Sequence, residues 1–191
     1  MKYKFFLIIL LLSFYNGFTQ NDTAAIRLNA YANKISAVFN KSDLQYNEVN
    51  NAVKAKNING IESARHALLQ YVISGLQQLK KIENFDEDVS LKFSAAEALH
   101  FYQQLAESDI PKIRDFFIVE ANYSLLQKEF EKKSRKKHSK KEIDLYNGEV
   151  KKYSDALIRY NQLSGFIASG RKTTLYNWNA SQKIFINSHK K

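Results

Sequence analysis

The chain contains no cysteine, only one proline and only six glycines among its 191 residues. Without cysteine there are no disulfides, no thiol nucleophile and no cysteine-ligated zinc site. Proline and glycine both interrupt helices, so their scarcity favours a helical protein. Strand-like alternation between hairpin turns is also missing, as is any repeat of a short structural unit. These absences predict an all-α fold that is held together by packing alone.

Long hydrophobic runs are scarce too, and the one that exists lies at the start of the chain. A basic beginning, the apolar run 5–14 and small residues at Gly17 and Thr19 are typical of a secretory signal peptide over residues 1–19, cleaved before Gln20. The uncharged stretch of about 15 residues is shorter than the roughly 20 that span a bilayer. The mature chain is therefore expected to lack a transmembrane segment.

The remaining residues, 20–191, form one predicted domain in the periplasm, on the cell surface or outside a bacterial cell. The whole chain carries a net charge of +10, and removal of Lys2 and Lys4 with the signal peptide leaves +8. Segment 128–141 alone contributes +6 of this, from eight basic and two acidic residues, so everything else amounts to +2. An acidic partner is expected to meet this segment.

Residues 60–106 have the periodicity of two amphipathic helices joined by a short acidic turn at 83–88. So short a connection predicts an antiparallel hairpin, with Asp86 or Asp88 capping its second helix. We expect this hairpin at the centre of an antiparallel bundle of four long helices. Its apolar faces are Ile61, Ala64, Leu68, Val72, Gly75, Leu76, Leu79 and Ile82, then Leu91, Ala95, Ala98, Tyr102 and Leu105.

A long N-terminal helix over 22–57 precedes the hairpin, and the sequence 57–60 supplies its stop because Asn and Gly accept left-handed backbone. After the hairpin, Asp109 and Pro111 predict the cap and first turn of a new helix.

The helical spacing of apolar residues begins again at Ile143. Tyr146, Tyr153 and Tyr160 follow at intervals of seven residues, which indicates rings packed along a seam. Gly165 and the pair 169–170 predict the end of that helix. A short C-terminal helix then begins at Thr173 or Thr174.

No apolar residue interrupts 132–141, so the chain is expected to reverse direction there. The same cations predict a binding site for an anionic polymer or for lipid headgroups. Because no Phe, Tyr or Trp is interleaved for base stacking, sequence-specific nucleic acid is not expected. The alternative is a solvated turn that only keeps the protein soluble. The candidate anion-binding residues are Lys132, Lys133, Arg135, Lys136, Lys137, Lys140 and Lys141.

One pattern resembles a metal site. Glu97 and His100 form a Glu-x-x-His step, and Glu62 and His66 lie four residues apart on the partner helix. Helical carboxylate-bridged metal sites need that step twice, with further carboxylates from other helices. Here it occurs once, so surface residues that pair along their own helices are the preferred interpretation. No cofactor is expected, and no nucleophile motif or phosphate loop predicts an enzyme.

Two stretches resemble a family of exported bacterial helical proteins known only as surface proteins. One is Asn84-Phe85-Asp86-Glu87-Asp88 with Leu91-Lys92 and Phe101-Tyr102; the other runs from Asn179 to Phe185, with His189 beyond it. The family implies export and a helical fold, and it implies no activity. The sequence thus predicts an exported, non-enzymatic helical bundle with a structural or interaction role, whose partner is an unidentified envelope or surface protein. The alternatives are an anion-binding module acting through 128–141 and a carboxylate/His metal protein.

Overall fold

The structure, a computed structural model, describes the backbone of residues 2–133 and 138–190 and the side chains of 23–133 and 138–190. Nearly all of that backbone is helical, and the described residues contain no strand beyond one isolated bridge between Phe85 and Asp88. The predicted all-α class is confirmed. The helices are α1 (Lys2–Lys54), α2 (Ile58–Lys81), α3 (Ser90–Gln104), α4 (Ile110–Glu131) and α5 (Lys140–His189), with a π-helical turn at Leu105–Asp109.

Helix α1 ends a few residues before the predicted stop. Lys56 adopts the left-handed conformation, with φ of 50°. Its N–H donates to the Val53 carbonyl, and the Asn57 N–H donates to the Ala52 carbonyl, both at 3.0 Å. This is the Schellman arrangement that usually holds glycine. Asn57 instead caps α2, because its side chain accepts a hydrogen bond from the Gly60 N–H at 3.0 Å. The expectation that Asn or Gly supplies the left-handed residue is wrong.

The turn predicted between the hairpin helices is confirmed. Asp86 and Glu87 both have positive φ, at 45° and 69°, which reverses the chain between α2 and α3. Neither Asp86 nor Asp88 is the N-cap residue of α3, which is Val89 and makes no side-chain capping hydrogen bond. The Asp88 carboxylate nevertheless accepts a hydrogen bond from the N–H of Ser90, the first residue of α3, at 2.6 Å. Most of the predicted apolar faces of both helices are buried, although Leu76 is only partly so.

No loop separates α3 from α4. The π-helical turn continues the helix directly into α4, and the Ile110 N–H donates to the Leu105 carbonyl five residues back. Pro111 has no N–H and would crowd the carbonyl of the preceding turn, a conflict that a widened turn relieves. The predicted helix start agrees with the structure in position, because α4 begins at Ile110 with Asp109 before it and Pro111 in its first turn. The Asp109 side chain makes no capping hydrogen bond, however; it is buried and pairs with Lys112 at 3.0 Å.

The predicted short C-terminal helix does not exist as a separate element, because α5 runs unbroken for 50 residues. Glycine inside a helix costs only about 1 kcal/mol relative to alanine, so Gly165 and Gly170 weaken a helix without ending it. Trp178 and Phe185 lie beyond these glycines and are both buried. The free energy gained by burying these two side chains exceeds the helix-propensity cost of the two glycines.

The two halves of α5 have different neighbours. Near its C-terminus, Trp178 packs on Phe39 of α1 with ring centroids 4.9 Å apart, and Phe185 packs on Tyr31 at 5.4 Å. Nearer its N-terminus, α5 packs its aromatic rings on those of α4. None of the described residues between 118 and 155 is buried. We call this region, the end of α4 together with the beginning of α5, the arm.

Candidate functional site

The arm is joined by a ladder of stacked aromatic rings. Each rung takes one ring from α4 and one from α5, and the pairs run in opposite directions along the two helices. The ring pairs are Phe116 with Tyr160 (centroids 4.3 Å apart, 13° between planes), Tyr123 with Tyr153 (4.6 Å, 7°) and Phe130 with Tyr146 (4.1 Å, 12°). The predicted tyrosine seam is confirmed, and α4 supplies rings at the same seven-residue step.

The tip of the arm is the predicted reversal of direction. Helix α4 ends at Glu131 and α5 begins at Lys140. A capping box precedes α5: the Ser139 side chain accepts a hydrogen bond from the Glu142 N–H, and the Glu142 side chain accepts one from the Ser139 N–H. His138 stacks on Phe130 with ring centroids 3.8 Å apart, which closes the ladder at its outer end. The described residues on both sides of the tip, up to Lys133 and from His138, are therefore held by a ring contact and a helix cap.

The structure describes four of the seven candidate anion-binding residues, and all four are exposed at this tip: Lys132, Lys133, Lys140 and Lys141. Arg135, Lys136 and Lys137 lie outside the described residues. Lys132 pairs with Glu129, and Lys133 pairs with Glu142 at 2.6 Å. The Lys133 ammonium, with the Ser139 groups, lowers the pKa of Glu142 to about 2. If Glu142 is counted with segment 128–141, the local charge is still +5. Cations thus outnumber the carboxylates that pair with them.

Two of the four metal-site candidates, Glu62 and His66, take part in ion pairs. Glu62 pairs with Arg65 and His66 on its own helix and with Arg114 of α4 at 3.2 Å. Hydrogen bonding from Arg65 is the main cause that lowers the pKa of Glu62 to about 2. On α3, His100 contacts Gln103 at 3.3 Å.

Over residues 23–133 and 138–190, no group of three or more His, Cys, Asp or Glu side chains is placed to hold a metal ion. Glu62, His66, Glu97 and His100 therefore do not form the convergent site that the metal alternative requires.

A polar centre between α1, α3 and α5 was missed at the sequence level. The Tyr102 hydroxyl donates a hydrogen bond to Asp43, and the Arg171 guanidinium donates to the same carboxylate at 2.7 Å. Arg171 also reaches Asn47 at 3.3 Å and lies 4.9 Å from the ring centroid of Tyr46. Burial raises the pKa of both Tyr102 and Tyr46, so both phenols stay protonated, and the Tyr102 hydroxyl can donate to Asp43. The centre fixes three helices in register.

A cavity of about 480 Å³ lies at the base of the arm, where α1 ends and α4 and α5 continue. Its walls are mainly aliphatic and aromatic. Lys56 and Glu120 stand at its edge, with the Lys56 ammonium 2.8 Å from both carboxylate oxygens.

Within the described part of the chain, no helix combines the length and apolarity needed to cross a bilayer. The resemblance to exported surface proteins stays a prediction. Comparison with known proteins adds no relative: no family model, no curated protein and no solved structure matches this chain.

Proposed function

We propose that the protein is an exported, non-enzymatic interaction protein that holds a polyanionic partner of the bacterial envelope at the tip of its arm. In this proposal four helical segments, α1, α2, α3 continued by α4, and α5, form an antiparallel bundle that serves as the base. The observation that supports the proposal is the exposure of Lys132, Lys133, Lys140 and Lys141 at the end of the arm, within the segment of the sequence that is richest in positive charge.

The electrostatics of the arm support this role. The α4 part of the arm has about 14 residues and is therefore about 20 Å long at 1.5 Å per residue. That length exceeds the Debye length of about 8 Å at physiological ionic strength, so the bundle's own charges are screened from the tip. The tip presents its field to a partner independently of the rest of the molecule. Polysaccharide and lipid headgroups both offer the repeated negative charge that such a cluster binds.

Replacement of the tip cations tests the proposal. We expect a variant with Lys132, Lys133, Arg135, Lys136 and Lys137 changed to Gln to lose retention on heparin and on vesicles that contain phosphatidylglycerol. The parent's affinity should fall steeply with salt, because each contact to a polyanion releases condensed counterions. Both quantities are measured by salt-gradient elution and by vesicle co-sedimentation.

A matched control carries the same loss of charge elsewhere: five exposed lysines of the described chain changed to Gln, namely Lys34, Lys41, Lys81, Lys172 and Lys183. If net charge alone mattered, both variants would elute equally early. If the tip is the site, the control elutes close to the parent. Co-elution of the tip variant with the parent would contradict the proposal. It would favour the alternative that segment 128–141 is only a solvated turn.

Export is tested separately. Intact-mass measurement of the protein recovered from the periplasm or medium should place the mature N-terminus at Gln20, within two residues. A recovered mass that retains residues 5–14 would contradict the signal peptide.

A further inference from the structure

We propose that the cavity at the base of the arm binds a single-chain amphiphile with one carboxylate, that is, a fatty acid. The inference does not depend on the basic tip, because the cavity and the tip lie at opposite ends of the arm. It rests on the lining, on the placement of Lys56 and on the charge balance at the mouth.

Three elements form the cavity: the end of α1, the first turns of α4 and the middle of α5. A volume of about 480 Å³ falls within the range of sites that hold small organic molecules, roughly 300–1,000 Å³. Aliphatic and aromatic side chains dominate the wall and suit an acyl chain. The apolar lining includes Val49, Val53, Ile113, Phe116, Leu157 and Ile167.

Lys56 is unusual for its position. The chain places a lysine in the left-handed conformation that ends α1, where glycine is the usual residue. This placement brings the ammonium to the edge of the cavity, 2.8 Å from both Glu120 oxygens and 6.0 Å from the centroid of the Phe117 ring. The Lys56 side chain is 61% exposed, so a proton of its ammonium is open to a ligand from the solvent side.

The charged groups that line the cavity are Lys54, Lys56 and Glu120. Their sum is +1, which one carboxylate neutralises. A neutral amphiphile would leave this charge uncompensated, and a cationic one would add to it. Tyr160 and Ser164 are also among the lining residues, and hydroxyl groups of this kind can donate to a carboxylate that shares Lys56 with Glu120.

The experiment is a calorimetric titration with dodecanoate below its micelle concentration. The tip variant with five Gln substitutions is the background, so that the arm's own cations do not bind the probe. We expect saturable binding of one dodecanoate per chain. Dodecanol should bind more weakly, and dodecyltrimethylammonium should not bind.

Substitutions at two positions distinguish binding of the ligand's carboxylate from binding of its acyl chain. Lys56→Gly removes the ammonium at a position where glycine fits the backbone, so the helix end is retained; Lys56→Asn is a second choice that also accepts positive φ. Dodecanoate affinity should fall about tenfold or more, the size expected for a lost hydrogen bond to a charged group, while dodecanol affinity should not change. Ser164→Leu fills the cavity and should weaken both probes.

Circular dichroism melting confirms that each variant is folded before titration. Three results would each overturn the proposal: no dodecanoate binding by the background protein, equal dodecanoate affinity after the Lys56 changes, or undiminished binding after Ser164→Leu. A failed heparin test of the tip would leave the cavity's result unaffected, because heparin has no acyl chain.

Discussion

Two glycines of α5 show how neighbouring side chains determine the effect of a residue on stability. A Cβ added at Gly165 would meet nothing within 4 Å. A Cβ added at Gly170 would lie 2.7 Å from Cε2 of the Phe101 ring, closer than real contacts allow. Gly165 is therefore only a weak point of the helix, whereas Gly170 makes room for an aromatic ring.

We predict opposite effects for the two alanine substitutions. Gly165→Ala should raise the free energy of unfolding by about 0.5–1 kcal/mol, the helix-propensity difference between the residues. Gly170→Ala should lower it by about 1–3 kcal/mol, the usual cost of overpacking, because the Phe101 ring must move. Urea unfolding followed by circular dichroism measures both. A stabilising Gly170→Ala would mean that the ring shifts without loss.

Glu62 provides a prediction for pH. Its pKa in the folded state is about 2 against an ordinary value of 4.5, so its ion pairs stabilise the fold fully above about pH 4.5. That contribution is lost as the pH falls from 4.5 through about 2. Glu62→Gln removes the titrating group and should therefore lose less stability on acidification than the parent does.

Urea midpoints at about pH 6 and about pH 2.5 give the comparison for parent and variant. Glu97→Gln, a change on the exposed face of α3, is the matched control and should keep the parent's full acid loss. Equal acid losses in parent and Glu62→Gln would contradict the prediction, because they would mean that the pKa of Glu62 is the same in the folded and unfolded chain.

At this scale the sequence predicted the core well and the polar contacts poorly. Ile35, Tyr102 and Phe116 are buried, as their periodicity indicates, because a stripe on a helix reports which face is covered. The polar centre left no local signal, since Asp43 and Arg171 meet across 128 positions of the chain. Only the packing of α1 against α5 brings them together.

Whole helices were predicted more reliably than their ends. The bounds of α2 and α3 follow the predicted hairpin closely, because their faces are strongly periodic. The clearest error falls at Gly170, where a residue that usually ends a helix is accommodated inside α5. The sequence shows such a residue but does not show the neighbouring packing that compensates for it.

The ladder of rings predicts how the arm behaves as an element. Tyr153→Ala removes the middle rung and should weaken the arm by about 1 kcal/mol or more, the range for a stacked pair beyond its buried area. Amide hydrogen exchange in the arm should then quicken by roughly fivefold, with little change in the rest of the chain. Leu145→Ala, at a site that is 60% exposed, is the control and should leave exchange unaltered.

Faster exchange throughout the molecule after Tyr153→Ala would contradict an arm that opens by itself. The same result would also weaken the case for a tip that acts apart from the bundle.

At the scale of the whole molecule, composition gave the class of fold, and charge gave the position of the candidate site. The scarcity of proline and glycine led to an all-α chain, and the clustering of lysine at 128–141 pointed to what the structure shows as the tip. The cavity could not be predicted, because its walls come from three helices that are distant in sequence and because Lys56 has no motif around it. Its discovery required the arrangement of α1, α4 and α5.

The long α5 also determines when the fold can be completed. Gln182 donates a hydrogen bond to the Ser36 hydroxyl across 146 positions, and Phe185 covers Tyr31. A chain is synthesised from its N-terminus, so the surface of α1 that Phe185 covers stays exposed until that part of α5 has been made. Contacts of such high sequence separation form late, since a long loop must close before they can form. A nascent chain that still lacks the second half of α5 therefore cannot complete the packing around α1.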